Sequence, residues 1–197
     1  MSKYVLSTLI LLTLLSTNNL LAQTCRSESE IPATTPTSAF NDNGDGTLTD
    51  TRTGLMWMKC PLGQSGSDCA TGSANTYTWD QALQAPNGFS YAGYSDWRVP
   101  NIKELRSIIE EQCFDPAINL AIFPATPSTY FWSSSPNAGN SSYAWFVDFG
   151  VDIGGGIALF YDRDYDMRLP SCTGFLPPLM ESPTARAMKW RAGSKRP

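Results

Sequence analysis

No histidine occurs anywhere in the 197 residues, and that absence alone removes much of the usual catalytic repertoire. It excludes a Ser-His-Asp or Cys-His relay, an imidazole general base and an imidazole-bound zinc. Five cysteines are present, but no two stand in the C-x-x-C spacing of an all-thiolate zinc site. After the first residues, no apolar run is long enough to cross a bilayer as a helix. Positive charge is scarce too: residues 23–169 carry eight Lys or Arg against seventeen Asp or Glu, a net charge of about −9. A domain of that sign repels polyphosphate and polysulfate, which argues against nucleic acid as a partner. Basic residues gather after it, at Arg186, Lys189, Arg191, Lys195 and Arg196.

What is present at the start is a processing signal. Lys3 precedes the apolar run Val5 to Leu15, and the stretch closes at Leu20-Leu21-Ala22. This predicts a signal peptide over 1–22, with Gln23 as the new N-terminus and export to the periplasm, the medium or the cell surface. A lipid anchor at Cys25 is the competing route, but Ala22-Gln23-Thr24 lacks the leucine and small residue that precede an acylated cysteine. In an oxidising compartment thiols pair. Cys60 and Cys69 flank a polar, glycine-bearing loop and form the first expected bridge. Cys25 and Cys113 form the second, which would tie down a terminus that otherwise frays. Cys172 is left over.

Residues 23–39, with Pro32, Pro36 and several threonines, predict an extended lead-in. The folded body then runs over 40–169. Turn signals at Asn43-Gly44-Asp45-Gly46 and Arg52-Thr53-Gly54 bracket a small hairpin that ends in Leu55-Met56-Trp57-Met58. Two capping boxes, Thr78 with Gln81 and Asn101 with Glu104, open two short helices. In the second, Ile102, Leu105, Ile108 and Ile109 recur at helical spacing. Strands follow at Tyr130 to Ser134, Ala144 to Phe149, Ile157 to Tyr161 and Met167 to Leu169, with a glycine cluster at 154–156. Early strands, two helices and a late antiparallel sheet make an α+β, disulfide-braced domain. The proline-bearing basic stretch 170–197 reads as a disordered tail.

Several segments together resemble a known family. They are Asp42-Asn43-Gly44-Asp45-Gly46-Thr47, Thr53-Gly54-Leu55-Met56-Trp57, Ala92 to Asn101, Lys103-Glu104-Leu105 and Phe131-Trp132-Ser133-Ser134-Ser135. In that order they resemble the C-terminal domain of the Legionella collagen-like adhesin and its bacterial relatives, over about 23–169. The resemblance implies a C-type-lectin-like fold, export, service as an adhesion or ligand-binding head, and no established enzymatic activity. It also implies surface positions open to diversification near the C-terminal end. Residues 137–166, rich in Asn, Ser, Tyr and Asp, have that character. The adhesin engages sulfated glycosaminoglycans, which the negative balance here opposes. The strand Met167-Arg168-Leu169 is where relatives close, whereas this chain continues through Pro170-Ser171-Cys172.

Within 137–166, the candidate ligand-binding residues are Tyr143, Asp148, Tyr161, Arg163, Asp164 and Tyr165. Tyrosine offers a rigid face with a hydroxyl, and Asp supplies adaptable hydrogen bonds; the bland alternative is a solvated hairpin. A glycan or a protein is the expected ligand, with no cofactor and no metal. Asn41, Asn43, Asp45 and Gly46 match the start of an EF-hand loop, but Arg52 stands where a bidentate glutamate is required, so the loop reads as a hairpin turn. Trp57, Trp97, Trp132 and Trp145 read mainly as core, and Arg98 and Arg168 as structural partners of carboxylates. Two further functions stay open. One is a structural envelope module that associates with its own copies as a homo-oligomer. The other is a carboxylate-dependent glycan hydrolase, using Glu110 and Glu111 on a helix or Asp162, Asp164 and Asp166 alternating along a strand.

Overall fold

A computed structural model describes residues 23–150 and 156–169. The predicted signal peptide, the tail with Cys172, and residues 151–155 with Asp152 lie outside the described residues. The chain begins with β1 (Thr24–Cys25) and, after a 3-10 turn at Thr37–Ala39, forms an antiparallel meander. Its strands are β2 (Phe40–Asp42), β3 (Thr47–Asp50) and β4 (Met56–Met58). The reversal between β2 and β3 falls on the predicted turn: Asp42 accepts from the Gly44 N–H at 3.0 Å and Asp45 from the Thr47 N–H at 2.9 Å. Gly44 and Gly46 there take φ of 78° and 88°, which a side chain would resist. A ribbon of β5 (Gln64–Ser65) and β6 (Thr71–Gly72) follows around the Cys60–Cys69 disulfide.

After β7 (Thr76–Tyr77) come helices α1 (Trp79–Gln84) and α2 (Ile102–Arg106), each opened by a complete capping box at Thr78 and Asn101. Helix α2 is shorter than the apolar spacing predicts. It ends at Arg106, so Ile108 and Ile109 are buried from the turn after it. Glu110 and Glu111 therefore do not lie on a helix. The rest of the chain supplies β8 (Cys113–Phe114), β9 (Tyr130–Pro136), β10 (Tyr143–Asp148), β11 (Ile157–Asp162) and β12 (Met167–Arg168). Five of these strands form the main sheet, in the order β11-β10-β9-β12-β7; its pairs are antiparallel except β12 beside β9. Among the described residues the architecture is α+β, with two short helices, mainly antiparallel sheets and two disulfides.

The main sheet is buried differently on its two faces. Phe131 and Val147 point toward the meander and α2, into a core with Leu48, Trp57, Leu105, Phe123 and Phe149. Trp132, Ala144 and Phe146 point the other way, where Trp79 and Ala82 of α1 pack on them with Val99. A third cluster, Met56, Met58 and Trp97, carries Tyr91 and Tyr94. Trp57, Trp97 and Trp132 are buried and Trp145 half-buried.

The stretch before β2 departs from the extended lead-in expected for it. It is turn-rich and docked, because a buried carboxylate waits for it. Glu110 accepts from the backbone N–H and hydroxyl of Thr34 and of Thr35, and from the Gln112 N–H, at 2.8 to 3.1 Å. Burial pushes the Glu110 pKa up, but these hydrogen bonds outweigh it and hold the carboxyl below its ordinary value. The Cys25–Cys113 disulfide lies beside this clasp, where β1 pairs with β8 in the register Cys25 to Cys113.

Candidate functional site

Strand alternation fixes which side chains share the face that α1 covers. In β9 these are Tyr130 and Trp132, and in β10 Ala144, Phe146 and Asp148. Across the β10–β11 ladder, Leu159 stands opposite Phe146 and Tyr161 opposite Ala144, which puts both on this face. Helix α1 lies over the Trp132 end, and the Trp79 indole donates to the Ser133 carbonyl at 2.8 Å. Toward β11 the face opens: Leu159 is 44% exposed and Tyr161 49%.

The opening is a pocket of about 250 Å³. Phe146, Leu159 and Met167 line it with Tyr130, Tyr161, Tyr165 and Asp148. Tyr130 meets Phe146 edge to face at 5.3 Å, and Phe146 meets Trp132 in the same way at 6.1 Å, which links the pocket wall to the core. Tyr165 arrives by a turn. Asp162 ends β11, its Oδ1 accepts from the Asp164 N–H at 3.0 Å, and its carbonyl accepts from the Tyr165 N–H at 3.2 Å. The chain thus folds back and sets Tyr165 against Tyr161, with ring centroids 5.0 Å apart.

Asp148 is the pocket's carboxylate. Burial pushes its pKa up, the hydrogen bond from the Gly150 N–H at 2.8 Å opposes that, and the charge of Asp115 adds to the rise. The net result is a carboxyl held above its ordinary value.

Of the six candidate residues, the pocket gathers Asp148, Tyr161 and Tyr165. The other three stand elsewhere. Tyr143 lies on the reverse face, stacked on Phe160 at 6.0 Å, with Trp145 edge-on to the same ring at 5.2 Å. Arg163 lays its guanidinium over the Trp79 ring at 4.0 Å and ties its backbone to Trp79 and Ser142. Asp164 is exposed in the turn. Four lining residues were not among the candidates: Tyr130, Phe146, Leu159 and Met167. The first three could have been found by applying the two-residue period to each late strand and asking which side chains share a face with Asp148 and Tyr161.

The carboxylates considered for hydrolysis are dispersed. Asp162, Asp164 and Asp166 do not alternate along a strand, because β11 stops at Asp162 and a turn separates the three. Glu110 is held by the threonine clasp, and Glu111 is exposed. Arg98 pairs with Glu104 at 2.7 Å, but Arg168 donates to the Ala74 carbonyl instead of a carboxylate, at 2.9 Å. A second, more polar cavity of about 420 Å³ lies by the first turn, lined in part by Asp42, Asp45, Lys59 and Tyr91. Lys59 there pairs with Asp42 at 2.8 Å. Among the described residues no group of three or more Cys, Asp or Glu could hold a metal ion, and no helix is long and apolar enough to cross a membrane.

The sequence model of one family, the Lcl C-terminal domain, matches residues 46–164. That span runs from the first turn to the residue before Tyr165, and so takes in both helices and strands β9 to β11. No curated protein and no solved structure matches the chain.

Proposed function

We propose that this chain, which belongs to the Lcl C-terminal domain family, is an exported, C-type-lectin-like recognition or adhesion domain that binds a glycan or protein at the Tyr130–Tyr161–Tyr165 pocket. One observation carries this. Among the described residues the exposed large hydrophobic side chains are Tyr130, Leu159, Phe160, Tyr161 and Tyr165, and all but Phe160 line that pocket. Apolar surface gathered in one concave place, rather than scattered singly, marks a binding site. Tyrosines suit the role because they present large rigid faces at low entropic cost. The absence of histidine and the dispersal of the carboxylates support binding without catalysis. In this reading 1–22 direct export, 23–169 form the binding head and 170–197 are an appendage.

The test is binding of the exported chain to glycan and protein arrays. A Tyr161→Ala/Tyr165→Ala variant should lose its array signals while keeping its melting temperature. Tyr143→Ala, altered on the reverse face, should keep both. Array signals that persist in the double variant would end this reading.

A second reading is favoured by β11, which stands at the outer position of the sheet and exposes Leu159 and Phe160 on opposite faces. An edge strand of that kind can pair with another copy, as an envelope module would require. Light scattering decides between them. A tight oligomer that Phe160→Lys dissolves, with no array signal, would favour self-association.

A further inference from the structure

Resting on the pocket reading above, we infer that the group held there is a quaternary ammonium of the choline class. The aromatic walls are Tyr130, Phe146, Tyr161 and Tyr165, whose ring faces carry negative potential and attract a cation. Asp148 adds a formal negative charge at the same place, and among the described residues no Lys or Arg lines the pocket or pairs with Asp148. The domain as a whole, at about −9 over 23–169, concentrates cations near its surface.

The choice among cations follows from hydrogen-bond supply. A lysine ammonium brings three donors and an arginine guanidinium five, and each must find an acceptor when it leaves water. Here the side-chain acceptors are Asp148, one oxygen of which already takes the Gly150 N–H, and the hydroxyls of Tyr130, Tyr161 and Tyr165, neutral and weaker acceptors than a carboxylate, while Phe146, Leu159 and Met167 offer no oxygen. A trimethylammonium group has no donor to satisfy. It needs aromatic contact around its methyls and a carboxylate nearby, and the pocket supplies both. An anionic ligand would face Asp148 with no opposing charge.

The experiment is a titration of the full exported chain with choline chloride, read by nuclear magnetic resonance, beside its neutral isostere 3,3-dimethyl-1-butanol. Saturable shifts are expected at Tyr130, Asp148, Leu159, Tyr161 and Tyr165, with the isostere binding about tenfold more weakly or less. Tyr161→Ala and Tyr165→Ala should each weaken choline binding by about 3- to 30-fold. Asp148→Asn should weaken it by about fivefold, and Tyr143→Ala should not alter it. Equal affinity for the isostere would overturn the inference, since the pocket would then be merely apolar. So would shifts located elsewhere. If choline produces no shifts while array binding still depends on Tyr161 and Tyr165, the cation inference fails and the pocket reading stands. If array binding is also independent of them, both fail.

Discussion

Trp132 and Tyr161 project from the same face of the five-stranded sheet, yet Trp132 is fully buried and Tyr161 is 49% exposed. The ladder between them is continuous in its pairing of Trp132 with Phe146 and of Phe146 with Leu159. What differs is the cover. Trp79 and Ala82 of α1 seal the Trp132 end, and Arg163, stacked on Trp79, closes that seal from the turn after β11. Toward β11, Tyr165 comes back only far enough to touch Tyr161. The same alternating pattern therefore makes core where a helix lies over it and a pocket where none does.

If this contrast is right, the largest losses of stability come from the frame. Removing the Cys25–Cys113 bridge, which spans a sequence separation of 88, should cost about 4 to 5 kcal/mol in denaturant melts. The Cys60–Cys69 bridge, with a separation of 9, should be worth about 2 to 3 kcal/mol. Trp132→Ala should cost about 3 to 5 kcal/mol, whereas Tyr161→Ala should stay within about 0.5 kcal/mol. A Tyr161→Ala loss as large as that of Trp132→Ala would mean that the open end is covered after all.

Two carboxylates sharpen the contrast through pH. Glu110, in the frame, has its folded pKa lowered by the threonine clasp, so its contribution is present above the unfolded value and is lost as pH falls through the folded one. Asp148, in the pocket, has its folded pKa raised by burial. The native state binds that proton more tightly, so stability declines as pH rises from the ordinary value of 3.8 through the raised one. Melts from pH 3 to 7 should show Glu110→Gln flattening the acid loss, with a cost of about 2 kcal/mol at neutral pH. Asp148→Asn should be the smallest effect, a slight gain at neutral pH that disappears at low pH. A loss on Asp148→Asn at neutral pH would contradict a carboxylate penalised by its surroundings.

How much of this was legible depends on how local each cause is. The capping boxes at Thr78 and Asn101 act over three residues, and both helices begin where they were predicted. The late strands were visible in their aromatic and β-branched runs. The docking of Thr34 and Thr35 was not, since their partner Glu110 lies 75 or 76 residues away and nothing nearby announces it. The alternation of Asp162, Asp164 and Asp166 suggested a strand, but an aspartate accepting from the N–H two residues on makes a turn of the same letters. Arg163 was legible as a chemically active residue and not as a structural one, because its Trp79 partner comes from another element. Asp148, Tyr161 and Tyr165, three of the seven residues that line the pocket, stood out by composition. Tyr130 and Phe146 were hidden among aromatics that looked like core.

Amide hydrogen exchange of the full chain, with and without a ligand selected on the arrays, tests most directly whether the open end of the sheet is the gripping surface. Protection should rise over 157–165 and at Tyr130, with α1 and the meander unchanged. Protection confined to the polar cavity by Asp42 and Lys59, or absent from 157–165, would contradict it.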